Sequence, residues 1–136
     1  MAKKFTLDSR LANDCFILSE SDDFLLLLMN NALVPWFILV PKVDKTELYE
    51  LESSVSENIA LISNKLSQLL KTDFKVDKIN IAAIGNIVSQ LHIHIIGRYE
   101  NDAFWPGVVW GAEPKESYEE SEVTKIKLQL KYILLS

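Results

Sequence analysis

The sequence predicts an α+β domain that combines short apolar strands with one long amphipathic helix. Its 136 residues are 49% hydrophobic, which fits one compact core over residues 1–136. Two sequence patterns support this prediction. Continuous apolar runs bounded by Asn, Pro and polar turns indicate buried strands, and apolar residues that recur every three or four positions indicate a helix in the middle of the chain.

The first half of the chain predicts a short helix followed by three strands. Each apolar run is too short for a typical helix. The polar residues 19–23 separate the first two runs, and residues 30–35, which begin with Asn and end with Pro, separate the next two. The second of these segments is a turn that makes a hairpin of the strands on either side of it. We expect the helix at residues 7–13 and the strands at residues 15–18, 24–29 and 37–40.

The most clearly patterned element is a helix over residues 54–70. Its apolar positions recur at spacings of four, three, four and three, which places them on one helix face that packs into the core. Ser54, with Glu57 three residues later, predicts a capping box at the helix N-terminus. The apolar positions are Val55, Ile59, Ile62, Leu66 and Leu69.

The remaining elements flank this helix. A short helical turn is expected at residues 46–51, and a strand interrupted by Asn80 at residues 76–84. Gly85 and Asn86 form the next turn, and residues 87–99 alternate as a strand. Apolar residues at helical spacing then predict a C-terminal helix from Val123 to Ile133.

Composition and charge disfavour two kinds of partner. Nineteen acidic and fourteen basic residues give a net charge of −5, which disfavours binding to polymeric DNA or RNA. The most apolar stretch, residues 24–41, is interrupted by Asn30, Pro35 and Pro41, and is too broken for a membrane span of ~20 residues. We therefore expect neither a nucleic-acid polymer nor a membrane as partner.

The single cysteine and the N-terminus favour a cytoplasmic location. Cys15 cannot form an internal disulfide, and its apolar strand predicts a small core residue with no chemical role. The first five residues lack the apolar run of a signal peptide. A reducing compartment is the expectation.

Both histidines of the chain lie two residues apart in the strand expected at residues 87–99. On a strand His92, His94 and Gln90 would share one face, about 7 Å apart from one to the next, and could hold a phosphate-sized group. An imidazole can act as nucleophile, base or anion ligand near neutral pH. The pattern is also compatible with a surface pair or half of a metal site, although zinc needs further ligands that the neighbouring sequence does not supply.

Residues 90–96, Gln-Leu-His-Ile-His-Ile-Ile, resemble the signature of the histidine triad (HIT) family, with Gln90 standing in the first His position. Four other segments extend the resemblance over roughly residues 15–111. They are residues 28–31 and 35–42, an Asn-containing strand and glycine loop at residues 80–86, and a Trp-Pro segment at residues 105–111.

This resemblance implies an antiparallel sheet of about five strands, with one long, one short and one C-terminal helix. It implies a nucleotide hydrolase or nucleotidyl transferase acting on an adenosine-type phosphoanhydride or phosphoramidate, with an AMP-containing substrate. His92 matches the nucleophile, which attacks the α-phosphate and forms a covalent nucleotidyl-histidine that water resolves. We expect no cofactor and no metal.

The resemblance also assigns supporting roles. His94 would orient His92 through its backbone carbonyl and contact phosphate through its ring, and a homodimer with its Trp-containing segment near the shared surface is expected. The remaining site residues are assigned by position: Asn80 near the phosphates, Asn30 or Asn31 on the ribose, and Leu28 and Phe16 in the base pocket.

Three positions depart from the family pattern. Gln90 cannot ionise, Ile87 stands where many members carry Ser or Thr, and Trp36 stands where a His is often found. These departures keep two alternatives open: a catalytically weak nucleotide-binding module, and a structural or interaction dimer.

Overall fold

The computed structural model describes residues 4–134, which form five strands, three α-helices and one short 3-10 helix. The predicted fold class is confirmed. In chain order the elements are α1 (Ser9–Asp14), β1 (Cys15–Glu20), β2 (Phe24–Met29), β3 (Trp36–Pro41), η1 (Leu48–Glu50), α2 (Ser53–Thr72), β4 (Lys78–Ala82), β5 (Ile93–Arg98) and α3 (Glu120–Leu134).

The five strands form one sheet in the order β1-β2-β3-β5-β4, and every neighbouring pair is antiparallel. β3 and β5 are central, and all their residues are buried. Burial on both faces explains the continuous apolar sequence of β3, because such a strand has no polar side to present. β1 and β4 are the two edges of the sheet.

The sheet separates two cores. Helices α2 and α3 cover one face, where Leu66, Leu69 and Leu70 pack against alternate strand residues such as Phe37 and Ile95. On the opposite face, Leu11 of α1 and Val109 pack against Ile38 and Ile96. We call the first the helix face and the second the loop face. Because strand side chains alternate, each strand supplies residues to both.

Helix α2 approaches the sheet where β5 carries Gly97. A Cβ built on this glycine would lie 2.4 Å from Val76 Cγ1 and 3.1 Å from Leu70 Cδ2. The missing side chain therefore lets Val76 and the end of α2 pack directly on the strand backbone.

Three details of the sequence prediction are wrong. The N-cap of α2 is Glu52, so Ser54 already lies within the helix and no capping box forms there; within residues 4–134 the Glu52 side chain makes no capping hydrogen bond. Asn80 does not interrupt β4, since it pairs with Ile96 inside the ladder. The last strand begins at Ile93 rather than residue 87, because residues 83–92 form an irregular connection.

Two further observations concern Cys15 and membrane insertion. Cys15 packs against the loop-face core, and burial raises the pKa of its thiol to about 12, with the nearby Asp14 carboxylate adding to the effect. The thiol is therefore protonated at neutral pH. Within residues 4–134, no helix has both the length and the apolar character that a membrane crossing requires.

Candidate functional site

The two histidines meet on the loop face of the sheet. His94 lies in β5 and His92 directly precedes that strand, with ring centroids 4.9 Å apart in an edge-to-face arrangement. Both residues are buried, with relative exposures of 6% for His92 and 5% for His94. The alternation predicted for this short stretch therefore holds, and it brings the two imidazoles side by side.

The ring of His92 is held by the backbone of Gln90. His92 Nδ1 lies 2.7 Å from the Gln90 carbonyl oxygen. A carbonyl only accepts hydrogen bonds, so Nδ1 must donate, and the lone pair of the neutral ring is then on Nε2. The family resemblance assigned this orienting carbonyl to His94; in the structure it comes from Gln90, which lies in the irregular segment before Ile93.

The ring of His94 has the opposite arrangement. Its Nδ1 accepts a hydrogen bond from the indole Nε1 of Trp36 at 3.0 Å. Burial, with a smaller contribution from His92, lowers the pKa of His94 from 6.5 to about 4. His94 is therefore neutral at physiological pH in the ligand-free protein.

Both rings line a cavity of ≈ 670 Å³ on the loop face. Its wall is mostly apolar and aromatic, with Trp36 and Trp110 beside the histidines. Trp110 stacks edge-on against His94, with centroids 5.4 Å apart. The charged residues in the lining are two bases and two acids: Arg10, Lys115, Asp14 and Glu113.

The side-chain amide of Gln90 is directed away from the histidines, towards the N-terminal segment. Its Nε2 donates to the Thr6 carbonyl at 2.9 Å, and its Oε1 accepts from the Asp8 backbone N–H at 2.8 Å. Asp8 caps α1 and holds the Arg10 guanidinium, which in turn donates to the Ile87 carbonyl at 2.9 Å. Gln90 thus joins the N-terminal segment to the cavity rim.

The family relationship follows from a comparison with known protein families. The HIT domain family matches residues 10–101, which include both histidines and the whole sheet. The chain belongs to the HIT domain family. Comparison with curated proteins finds no match for this HIT protein.

Solved structures support this membership. A histidine triad protein from Marinobacter aquaeolei VT8 is 43% identical, with 96% of each chain covered and a TM-score of 0.89. A histidine triad protein from Sinorhizobium meliloti 1021 is 38% identical, covering 95% of this chain and 96% of the other, also with a TM-score of 0.89. The diadenosine triphosphate hydrolase of Plasmodium falciparum, solved with cyclomarin A, is 20% identical, with 98% of this chain and 84% of that chain covered and a TM-score of 0.64; it shares the fold.

A buried ion pair anchors the loop that carries Trp110 in this HIT protein. Asp102 accepts from Arg98 Nε at 2.8 Å and Nη2 at 3.1 Å, and from the backbone N–H groups of Tyr99, Phe104 and Trp105. The two side chains are 2% and 1% exposed. Burial opposes ionisation of Asp102, but the hydrogen bonds from Arg98 and the backbone together lower its pKa.

The three asparagines singled out in the sequence have different positions. Asn31 lines the cavity, and its side chain holds the following loop by donating to the Pro114 carbonyl and accepting from the Leu33 and Glu116 N–H groups. Asn30 accepts from the Tyr118 N–H, and Asn80 accepts from Arg98. In the described part of the chain, neither of these two belongs to the cavity lining.

Phe16 and Leu28 lie on the other side of the sheet. Leu28 is fully buried in the helix-face core, and Phe16 packs against the same core. The structure therefore does not bring them together with the histidines. Strand residues alternate between the two faces, so the neighbours of Phe16 and Leu28 border the loop face. One of them, Met29, lines the cavity.

Several cavity and support residues were missed by the sequence reasoning. Arg10, Lys115 and the Arg98–Asp102 pair lie outside the signature segments. One signal was available: Arg98 is the last residue of the strand and precedes an aspartate by four residues. A charge at the end of a buried strand indicates a paired group. For metal binding, no group of three His, Cys, Asp or Glu side chains is suitably placed within residues 4–134.

Proposed function

We propose that this HIT protein is a nucleotide hydrolase or nucleotidyl transferase that acts on an adenosine-type phosphoanhydride or phosphoramidate. The main support is the hydrogen bond between His92 Nδ1 and the Gln90 carbonyl. It keeps the ring proton on Nδ1 and leaves Nε2 with the lone pair of a nucleophile. The cavity in front of the rings supplies the room for a nucleotide.

In the first step, His92 Nε2 attacks the α-phosphorus of the nucleotide. The bond from phosphorus to the leaving oxygen or nitrogen breaks, the leaving group departs with the electron pair, and the nucleotidyl group is bonded to the ring. Because Nδ1 keeps its proton, the ring becomes positively charged. The Gln90 carbonyl at 2.7 Å stabilises that charge, and it does so most strongly once the new bond has begun to form.

In the second step, water attacks the same phosphorus. The bond between phosphorus and Nε2 breaks, one proton of the water is released, and AMP leaves with the water oxygen. His92 regains its neutral form. The neutral His94 beside it offers a hydrogen bond to a phosphate oxygen without adding a second positive charge next to the modified ring.

The test is a single-turnover reaction with diadenosine tetraphosphate labelled at the α-phosphates. Wild-type protein should form an acid-labile adenylyl adduct, and His92→Ala should form none while its turnover falls by ~10²- to 10⁴-fold. The control is Tyr132→Ala, an exposed position on α3, which should behave as wild type. If His92→Ala retains the adduct or the turnover, the proposal is wrong.

A parallel AMP titration separates the alternatives. AMP at 100 times its Kd would stabilise the fold by about 2.7 kcal/mol, which a thermal-shift measurement detects. AMP stabilisation without adduct or turnover identifies a nucleotide-binding module with Gln90 in place of an ionisable group. If AMP does not stabilise the fold and no adduct forms, the result favours an interaction protein.

We also propose a cytoplasmic homodimer, joined at the β4 edge of the sheet. β4 is an unpaired edge, and Ile81 on it is 52% exposed, which is the kind of apolar edge that invites pairing with another chain. Light scattering should give twice the 15.5 kDa chain mass, and Ile81→Glu should shift the protein towards monomer. A monomeric wild-type protein would contradict this assembly.

A further inference from the structure

The contact between Trp36 and His94 is set by the sheet register. In the antiparallel pair β3 and β5, Ile38 lies opposite His94 and Trp36 opposite Ile96, so Trp36 and His94 are diagonal neighbours on the loop face. Large side chains reach across that diagonal. The two ring centroids are 5.8 Å apart, and the indole N–H lies 3.0 Å from His94 Nδ1.

This hydrogen bond determines which nitrogen of His94 carries the proton. An indole nitrogen can donate but cannot accept, so Nδ1 must be the nitrogen with the lone pair. The proton of the neutral ring is therefore on Nε2. Protonating Nδ1 would set two N–H groups against each other at 3.0 Å in a buried site, where Trp36 is 7% and His94 5% exposed. The imidazolium is disfavoured by this contact in addition to burial.

We propose that Trp36 is a positioning residue that fixes His94 as the neutral tautomer protonated on Nε2, so that His94 presents a hydrogen-bond donor, and not a cation, to a phosphate oxygen of the substrate. The inference deepens the proposed function and rests on it for the identity of the ligand. The two histidines then have complementary roles: His92 Nε2 offers a lone pair, and His94 Nε2 offers a proton.

The surroundings of His94 contain few groups that could override Trp36. His92 is the titratable side chain in ring contact with it. Arg10, Asp14, Glu113 and Lys115 line the same cavity and carry two charges of each sign. The direct hydrogen bond from Trp36 is the contact that distinguishes the two ring nitrogens.

Trp110 provides a matched control. It also packs against His94, with centroids 5.4 Å apart against 5.8 Å for Trp36. Its buried Nε1, however, has no hydrogen-bond partner within residues 4–134. Replacing either indole by phenyl makes the aromatic contact with His94 smaller, but only Trp36→Phe removes a hydrogen bond.

The experiment is nitrogen NMR of the imidazole rings in the ligand-free protein, which reports the protonation of each ring nitrogen directly. Wild type and Trp110→Phe should both show His94 with a bare Nδ1 and a protonated Nε2 between pH 6 and 8. Trp36→Phe should show a mixture of tautomers and a His94 that titrates closer to the ordinary range. A wild-type His94 protonated on Nδ1, or an unchanged tautomer in Trp36→Phe, overturns the proposal.

A second variant separates loss of the hydrogen bond from loss of side-chain packing at Trp36. Replacing Trp36 by β-(3-benzothienyl)alanine retains the ring shape and exchanges only the N–H for sulfur. It should reproduce the tautomer change of Trp36→Phe while the protein stays folded. If the tautomer stays as in wild type, the hydrogen bond does not control it and the proposal fails.

Kinetics then test the consequence for catalysis. With diadenosine tetraphosphate at pH 7, loss of the fixed donor should lower kcat about tenfold, the amount that one hydrogen bond is worth, with a smaller change in KM. The activity of Trp36→Phe should also decline at a higher pH on the acidic side than wild type. Unchanged kcat and pH profile, despite a changed tautomer, would refute the donor role. Because the NMR result needs no substrate, it stands even if the proposed reaction is wrong.

Discussion

Acidification should destabilise this protein well above the pH range where its carboxylates titrate. The perturbation is a change from pH 7 to pH 5, and the responsible group is His94. Its pKa is about 4 in the folded protein and 6.5 as the ordinary value, because burial disfavours the charged ring and His92 adds to the effect. Between these two values the unfolded chain binds a proton that the folded chain excludes.

The sign and magnitude follow from linkage. Because the unfolded state binds more protons, the free energy of unfolding falls as the pH is lowered through 6.5 towards 4. With these two pKa values, the loss between pH 7 and pH 5 is about 2 kcal/mol, and the full loss below pH 4 is about 3 kcal/mol. The first figure is a large part of the stability of an ordinary domain.

The assay is urea unfolding at half-unit pH steps, with His94→Asn as the control. The wild-type midpoint should fall steadily between pH 7 and pH 5 at constant slope with urea, whereas the midpoint of His94→Asn should change much less. Asp8 and Asp102, whose pKa values are lowered from 3.8 by Arg10 and by Arg98 with backbone N–H groups, lose their stabilisation only at still lower pH. A wild-type midpoint that does not change with pH, or an equal pH dependence in His94→Asn, would exclude His94 as the responsible group.

Three further changes test the packing around the site, each by its urea midpoint. Asp102→Ala leaves Arg98 buried without its partner and should cost about 3–5 kcal/mol; a loss below 1 kcal/mol would contradict a buried pair. Gly97→Ala places a Cβ 2.4 Å from Val76 and should cost about 1–3 kcal/mol, so a neutral result would show that α2 can shift freely. Ser54→Ala, inside α2, should stay within about 0.5 kcal/mol, and a larger loss would restore the capping role.

The long helix and the strands could be predicted because their patterns are local. The spacing of Ile59, Leu66 and Leu69 requires one helix face, and that face does pack against the sheet. The apolar runs of β2 and β3 likewise predicted strands that turned out to be covered on both sides. No capping box forms at Ser54, because α2 begins one residue earlier and Ser54 lies inside the helix.

The site was predictable only in part. The two-residue spacing of His92 and His94 placed both rings on one side, since alternation needs only a few extended residues. Extending the same alternation to Gln90 placed its amide beside them, but the chain is irregular there and the amide instead binds the Thr6 carbonyl and the Asp8 N–H. No local sequence pattern predicts that Gln90 binds Thr6, which lies 84 residues away in the chain.

The α+β class, the long helix and the proximity of the two imidazoles were predictable from the sequence, because each depends on periodicity within single elements. The proton positions depend instead on how the chain packs: the Gln90 carbonyl contacts His92 in an irregular segment, and the Trp36 indole contacts His94 across the register of β3 and β5. Hydrogen bonds between distant elements depend on how those elements pack, and imidazole chemistry depends on those bonds.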